Sequence, residues 1–304
     1  MFGESFPPIL LLSIWIFSFV VPVLCTGYSI FMSNLDGFRF YLMYSLFHIS
    51  IVDLVWTPKR HNTLFYDTFC KFFYFQKSNT LLPDTKTMTA VFPHGAFCVG
   101  FNSIGALKAQ NTIISLIAPL LMHVPCFGGL AKKIGVSSAE KNNMKSLMSK
   151  DFNISLLPGG FNEIFMMRKY EYNIYVPTGF IALAIKYEYR IYPILVLGEN
   201  ETFDVITPPK YLWTLLNKFV SKVPVPLLLP YRYHRVPVCS YYGESIACKH
   251  GDSVEIIQKH IIETLMDLFT KNIESYCKNR NDSGILPIVE PSMYSINFPL
   301  NSYK

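Results

Sequence analysis

The chain is poor in charge. Only 16% of its 304 residues are Asp, Glu, Lys or Arg, while 51% are hydrophobic and 15% aromatic. Such a chain can bury a sizeable core and still has apolar surface left to cover, which excludes the disordered, strongly solvated classes. It has no run of Lys or Arg and no basic stretch interleaved with aromatics, and its net charge is a modest +6. That balance argues against a nucleic-acid partner and suits a surface lying against anionic headgroups. Its seven cysteines (Cys25, Cys70, Cys98, Cys126, Cys239, Cys248 and Cys277) are odd in number and include no C-x-x-C pair. They therefore fit reduced thiols better than a secreted disulfide framework. No two histidines, and no Cys and His, have metal-ligand spacing, so neither a metal site nor a bound cofactor is expected.

The apolar excess sits at the front. Ile9 to Met32 is uncharged and long enough to cross a bilayer, and a second, shorter run from Phe40 to Val52 carries only His48 among apolar and small residues. Between them, Ser33-Asn34-Leu35-Asp36-Gly37 has a turn composition, so residues 1–56 read as a helical membrane hairpin. Val23-Leu24-Cys25 resembles a signal cleavage site, but the segment before the apolar run has Glu4 as its only charge and no Lys or Arg. Thr57-Pro58-Lys59-Arg60-His61 is the nearest positive cluster and places the domain after it on the cytosolic side.

Beyond the hairpin, strand and helix patterns alternate. Strands are expected at Thr87 to Phe92, Thr112 to Ala118, Asn153 to Leu157 and Ile191 to Leu197, and helices at Gly100 to Gln110 and Gly129 to Ile134. Ser137-x-x-Glu140 has capping-box spacing before a helix through Met144, Leu147 and Met148. Thr178 caps another through Phe180, Leu183 and Ile185, and Asp252-x-x-Glu255 opens a periodic helix through Ile257, Ile261, Leu265 and Phe269. Pro224 to Pro237 is proline-rich and reads as a loop. The expected fold class is α/β, a largely parallel sheet flanked by helices, with one domain over residues 57–280 and an unpatterned tail over 281–304.

Two short motifs end strand-like runs, Phe92-Pro93-His94-Gly95 and Pro158-Gly159-Gly160-Phe161-Asn162-Glu163. Each sets a proton-handling side chain beside Gly or Pro, at a strand end where active sites gather. A neutral His94 there can take a proton from an attacking hydroxyl, and the first amides of the helix after it can hold an oxyanion. Gly159 and Gly160 remove side chains where backbone must approach a ligand closely. A third block, Gly198-Glu199-Asn200-Glu201, also comes directly after a strand. Taken singly, a histidine is more often structural, Glu163 a helix-capping acid, and Glu199 and Glu201 solvated loop acids.

The order of the blocks weighs more than any one of them. F-P-H-G, P-G-G-x-x-E, P-I-x-x-x-G-E-N-E-x-F from Pro193, and Tyr242-Gly243-Glu244-Ser245-Ile246 before a long terminal helix together resemble the type-2 diacylglycerol acyltransferase family over roughly residues 30 to 275. That resemblance implies a glycerolipid-acyltransferase-like fold and an enzyme of the endoplasmic reticulum membrane, facing the cytosol, that moves a fatty acyl group from acyl-CoA to a neutral-lipid hydroxyl. Diacylglycerol is the first expectation for the acceptor, with monoacylglycerol or a wax alcohol as alternatives. Acyl-CoA enters as co-substrate, and self-association as a homo-oligomer stays open. His94 matches the family's motif base and Glu163 its motif acid. Pro93, Gly95, Pro158, Gly159, Gly160, Glu199 and Asn200 are expected to line the substrates, and Arg168 and Lys169 to contact the phosphates of CoA.

Two positions depart from the family pattern. Phe92 stands where the first histidine of H-P-H-G is usual, and Ser245 where a proline is usual. Relative to phosphate-accepting acyltransferases, Val99 stands where an acid would orient the histidine, and Glu163 is the candidate substitute. Glu163 is followed by Ile164 and Phe165 rather than by an arginine, which favours a neutral acceptor. Gly243-Glu244-Ser245-Ile246-Ala247 looks like a variant nucleophile elbow, the basis of a serine-hydrolase reading, although the next helix starts too late. A non-catalytic membrane scaffold is the remaining alternative.

Overall fold

The computed structural model describes residues 70, 75–76, 85–95, 98–104, 113–123, 127–206, 229–285 and 287–299. The hairpin expected over residues 1–56 lies outside them; among the described residues, no helix is long and apolar enough to cross a membrane. In chain order the elements are β1 (Phe75–Gln76), β2 (Thr87–Phe92), α1 (Val99–Ile104), β3 (Ile113–Ile117), α2 (Pro119–His123), α3 (Phe127–Lys133), β4 (Val136–Ser138), α4 (Lys141–Met148), β5 (Asn153–Leu156), α5 (Gly160–Met166) and β6 (Glu171–Asn173). They continue with α6 (Gly179–Tyr187), β7 (Arg190–Leu197), a 3-10 turn (Glu199–Glu201), β8 (Phe203–Ile206), β9 (Leu229–Tyr233), β10 (Val238–Tyr242), β11 (Ile246–Ala247), α7 (Val254–Asp282), a second 3-10 turn (Pro291–Met293) and β12 (Ser295–Asn297).

The described elements fall into two compact units, one over residues 114–144 and the other within 70–113 and 145–304. In the smaller unit β3 and β4 pair in parallel, Ser115 opposite Val136 and Ile117 opposite Ser138. That ladder overrides the expected capping box: Ser137 is a strand residue, and α4 begins only at Lys141, with the Glu140 carbonyl accepting the amide of Met144 at 2.9 Å.

The larger unit holds a mixed, mostly parallel sheet in which the order β1-β10-β7-β2-β5 is continuous and β11 also pairs with β7. β2 runs parallel to both neighbours, Thr89 opposite Ser155 on one side and Tyr192 on the other, and all six of its residues are buried. Such two-sided burial is why Thr87 to Phe92 carries no charge and buries its two threonines along with its apolar residues. β10 and β11 run antiparallel to β7.

Helix α7 packs on β7, β10, β11 and α6, burying Ile257, Ile261, Leu265, Leu268, Phe269 and Ile273. Its cap is Ser253, one residue later than expected: the Ser253 hydroxyl accepts from the Ile256 amide at 3.4 Å, while Asp252 accepts from Lys249 at 2.7 Å. Thr178 precedes α6 as expected, but its side chain makes no capping bond. Within the proline-rich stretch, β9 forms a ladder with β8, contrary to the loop expectation. Pro230 is tolerated because the register slips there, Asp204 opposite Arg232 but Val205 opposite Pro230. α7 also continues past Lys278, and the chain after it returns to the domain, with β12 pairing in parallel with β6.

Candidate active site

Strands β5, β2 and β7 are adjacent and parallel, so their C-terminal ends share one edge of the sheet. The three motif loops leave from that edge, which is where open α/β sheets build sites. Phe92 is itself fully buried in β2, opposite Leu195, and the Phe92–Pro93 peptide is cis. Pro93 is buried and His94 half-buried.

The His94 ring is oriented by its own loop. Nδ1 lies 2.9 Å from the carbonyl oxygen of Gly95. A carbonyl can only accept, so Nδ1 carries the proton and Nε2 is left as the basic nitrogen. Burial lowers the basicity of His94 below its ordinary value, against the pull of the Gly95 carbonyl, and keeps the imidazole neutral. Cys98, at φ 53°, brings Sγ to 3.3 Å from Nδ1 and 3.8 Å from Nε2. Burial, and secondarily the charges of Glu199 and Glu163, push the thiol well up, so it stays a protonated thiol rather than a thiolate. In the sequence Cys98 stands only among scattered cysteines, and its offset of four from His94 is the one signal of this contact.

Glu163 sits in the first turn of α5 and is 2% exposed. Its Oε2 accepts the backbone amide of His94 at 2.8 Å, and its Oε1 the amide of Tyr175 at 3.0 Å. The acid expected to orient the imidazole thus holds the main chain beneath it, and the Gly95 carbonyl takes the orienting part. Burial raises the Glu163 carboxyl to about 8, opposed by the two amide bonds. Gly159 is bare for a reason internal to the motif: a Cβ there would overlap the Glu163 carboxylate. Pro158 and Gly160 are half-buried beside it, and open space surrounds the position of a Gly160 Cβ.

Glu199 repeats the pattern. It is 3% exposed, and its carboxylate accepts the amides of Val99 at 3.0 Å and Gly100 at 2.8 Å, capping α1. The first helix amides expected to hold an oxyanion are therefore taken by a carboxylate. Gly95 adopts φ +64°, and a Cβ on it would overlap the Glu199 side chain. Burial raises Glu199 to about 7 against its two amide bonds. Neither Glu199 nor Glu201 is a solvated loop acid.

The remaining candidates lie elsewhere. Asn200 is buried and donates Nδ2 to the Glu171 carbonyl at 2.8 Å, tying the turn to β6. Arg168 is exposed past the end of α5, its guanidinium donating to the Met167 carbonyl at 2.8 Å, and the Lys169 ammonium stands 3.7 Å from Asp204. Ser245 joins β10 to β11, and no helix starts directly after it, so the nucleophile-elbow geometry is absent. It lines a surface cleft with Asp252 and His260, yet the Asp252 carboxylate is engaged by the Lys249 amide. No cluster of metal-ligating side chains occurs among the described residues.

A family profile described as diacylglycerol acyltransferase matches residues 24–231. The chain is similar to 2-acylglycerol O-acyltransferase 1 of Homo sapiens, 25% identical over 157 residues, or 47% of each chain. It is similar to the Bos taurus protein of the same name at 22% identity over 217 residues, covering 63% of this chain and 64% of the other. The chain thus spans between about half and two thirds of the length of these relatives. A solved 1-acyl-sn-glycerophosphate acyltransferase from Thermotoga maritima aligns over 82% of this chain and 95% of its own, with 13% identity and a TM-score of 0.44.

Proposed function

Because the chain belongs to the diacylglycerol acyltransferase family, whose profile covers most of it, we propose that it transfers a fatty acyl group from acyl-CoA to the hydroxyl of a neutral lipid, at the cytosolic face of the endoplasmic reticulum membrane. Diacylglycerol, giving triacylglycerol, is the first acceptor proposed. His94 carries the reading: a neutral, half-buried imidazole whose Nδ1 proton is committed to Gly95, leaving Nε2 to act as base.

Nε2 removes the proton of the acceptor hydroxyl as its oxygen attacks the thioester carbonyl. The new ester C–O bond forms, the C–S bond breaks, and the imidazolium returns its proton to the departing CoA thiolate. No acyl-enzyme and no resident cofactor are needed. Glu163 and Glu199 act through the main chain, fixing His94 and α1, while Arg168 and Lys169 meet the CoA phosphates. Apolar Ile164 and Phe165 after Glu163 favour an acceptor without a phosphate.

A second acceptor is favoured by the relatives: the human and bovine proteins are both named for 2-acylglycerol, so monoacylglycerol stands beside diacylglycerol. Both readings are tested by expressing the full chain in membranes that lack neutral-lipid synthesis, supplying labelled acyl-CoA with either acceptor, and resolving the products alongside His94→Ala. Label in diacylglycerol or triacylglycerol that vanishes in the variant is the expected result. Label confined to phospholipid, or none, overturns the proposal.

A further inference from the structure

The turn Glu199–Glu201 has two ends with different work. Glu199 faces the His94 loop, where it holds the amides of Val99 and Gly100 and fills the space left by Gly95. Glu201 faces the opposite way, into a buried cluster that the acyl-transfer steps do not use. Its Oε2 is 2.7 Å from Nε of Arg280, and its Oε1 accepts the hydroxyls of Tyr276 and Tyr294, each at 2.8 Å. Glu201 and Arg280 are each only 1% exposed. Arg280 also donates Nη1 to the Pro287 carbonyl at 2.7 Å, which draws the segment after α7 onto the same turn.

The residue before the turn is fixed as well. The Gly198 amide donates to the Tyr172 hydroxyl at 2.9 Å, at a φ of +90° that glycine tolerates, and a Cβ there would meet the Pro237 carbonyl and the Tyr276 hydroxyl. Tyr294 packs edge-on against Tyr276 at 6.0 Å and Tyr170 at 5.2 Å. An ion pair this deep contributes little net stability over an apolar filling of the same shape. What it adds is a defined position: a guanidinium and two hydroxyls converge on one carboxylate, so the turn has one arrangement that satisfies every partner.

We infer that Arg280, Tyr276 and Tyr294 are positioning residues for His94, holding the Glu199–Glu201 turn from behind so that Glu199 fixes α1 and Gly95 in front. The kinetic part of this inference rests on the acyltransferase reading; the geometric part does not. The test uses the full chain in membranes, with a Tyr276→Phe/Tyr294→Phe double variant, which keeps the ring volumes, and Arg280→Lys, which keeps the charge. Two readouts are taken together: kcat and KM for acyl-CoA, and the rates at which iodoacetamide alkylates Cys98, 3.3 Å from the His94 ring, and the buried Cys248.

In the double variant kcat is expected to fall roughly two- to thirty-fold, the range for coupling through packed networks, with KM changed by less than about two-fold. Cys98 is alkylated faster while Cys248 keeps its wild-type rate, and Arg280→Lys retains part of the activity. Wild-type kcat together with a wild-type Cys98 rate overturns the inference. So does equal loss of protection at Cys98 and Cys248, which is what a purely structural anchor would produce. If the wild-type chain transfers no acyl group, the proposed function fails, and the Cys98 rate alone decides the positioning.

Discussion

The Glu163 carboxylate accepts the backbone amide of His94 at 2.8 Å and leaves the imidazole to the Gly95 carbonyl, 2.9 Å from Nδ1. The tautomer of His94 is therefore set by a main-chain carbonyl inside the motif, with the Cys98 thiol 3.3 Å from the same nitrogen. This also explains how Phe92 can stand where the family usually has a histidine: in this chain that position is a fully buried core residue of β2, and the orientation of His94 does not pass through it.

Glu163→Ala leaves the amides of His94 and Tyr175 without their acceptor, at a cost of about 1–3 kcal/mol for each buried group that finds no other. Activity is expected to fall by at least roughly ten-fold, since a barrier change of 1.4 kcal/mol already has that effect. Glu163→Gln keeps an oxygen for one of the two amides and should fall between Ala and wild type. Acyl transfer by membranes carrying equal amounts of each variant measures the order. Wild-type activity in Glu163→Ala would remove Glu163 from the site.

Glu163 also carries a pH signature. Its folded value, about 8, lies above the ordinary 4.5, so the folded state binds the proton more tightly than the unfolded state. The contribution is full below about pH 4.5 and is lost as pH rises through about 8. The difference in thermal midpoint between wild type and Glu163→Gln, followed in detergent from pH 5 to 9, should shift against the wild type as pH rises. A difference that is flat across this range would contradict the assignment.

The proposed base gives a separate prediction, for the activity profile. Burial holds His94 below its ordinary 6.5, so its imidazole stays neutral to lower pH than a free one does. The acidic limb of kcat for acyl transfer is expected to bend below pH 6.5. A limb that bends above that value, or one unchanged in His94→Ala, would assign the titration to another residue.

The features legible in the sequence are those whose interactions leave a trace in side-chain order. The strand ends before His94, Glu163 and Glu199 stand out because buried parallel strands are apolar on both faces, and the mostly parallel sheet and the packed face of α7 come from the same periodicity. The partners of Glu163 and Glu199 leave no trace, because backbone amides have no sequence signature. Arg280 is hidden differently: its polar neighbours Asn279, Asn281 and Asp282 break the helical pattern after Lys278, although the arginine turns inward to Glu201. At Ser137 and Pro230 local rules lose to pairing, a strand ladder overriding a capping pattern and a slipped register admitting a proline.

The two motif glycines separate conformation from contact. Gly95 lies at φ +64°, so Gly95→Ala is strained even without Glu199. Gly159 instead has φ −66° and ψ −28°, which alanine adopts freely, so the cost of Gly159→Ala arises from its overlap with Glu163. In the wild-type background Gly159→Ala should lower both the thermal midpoint and acyl transfer. In a Glu163→Ala background the overlap is gone, and the same substitution should be neutral or stabilising by about 0.4–1 kcal/mol, because alanine restricts the unfolded chain more than glycine does. Thermal unfolding of the four proteins closes the cycle, with an interaction energy of about 0.5–3 kcal/mol expected for residues in contact. Strict additivity would mean that Gly159 is glycine for a ligand rather than for Glu163.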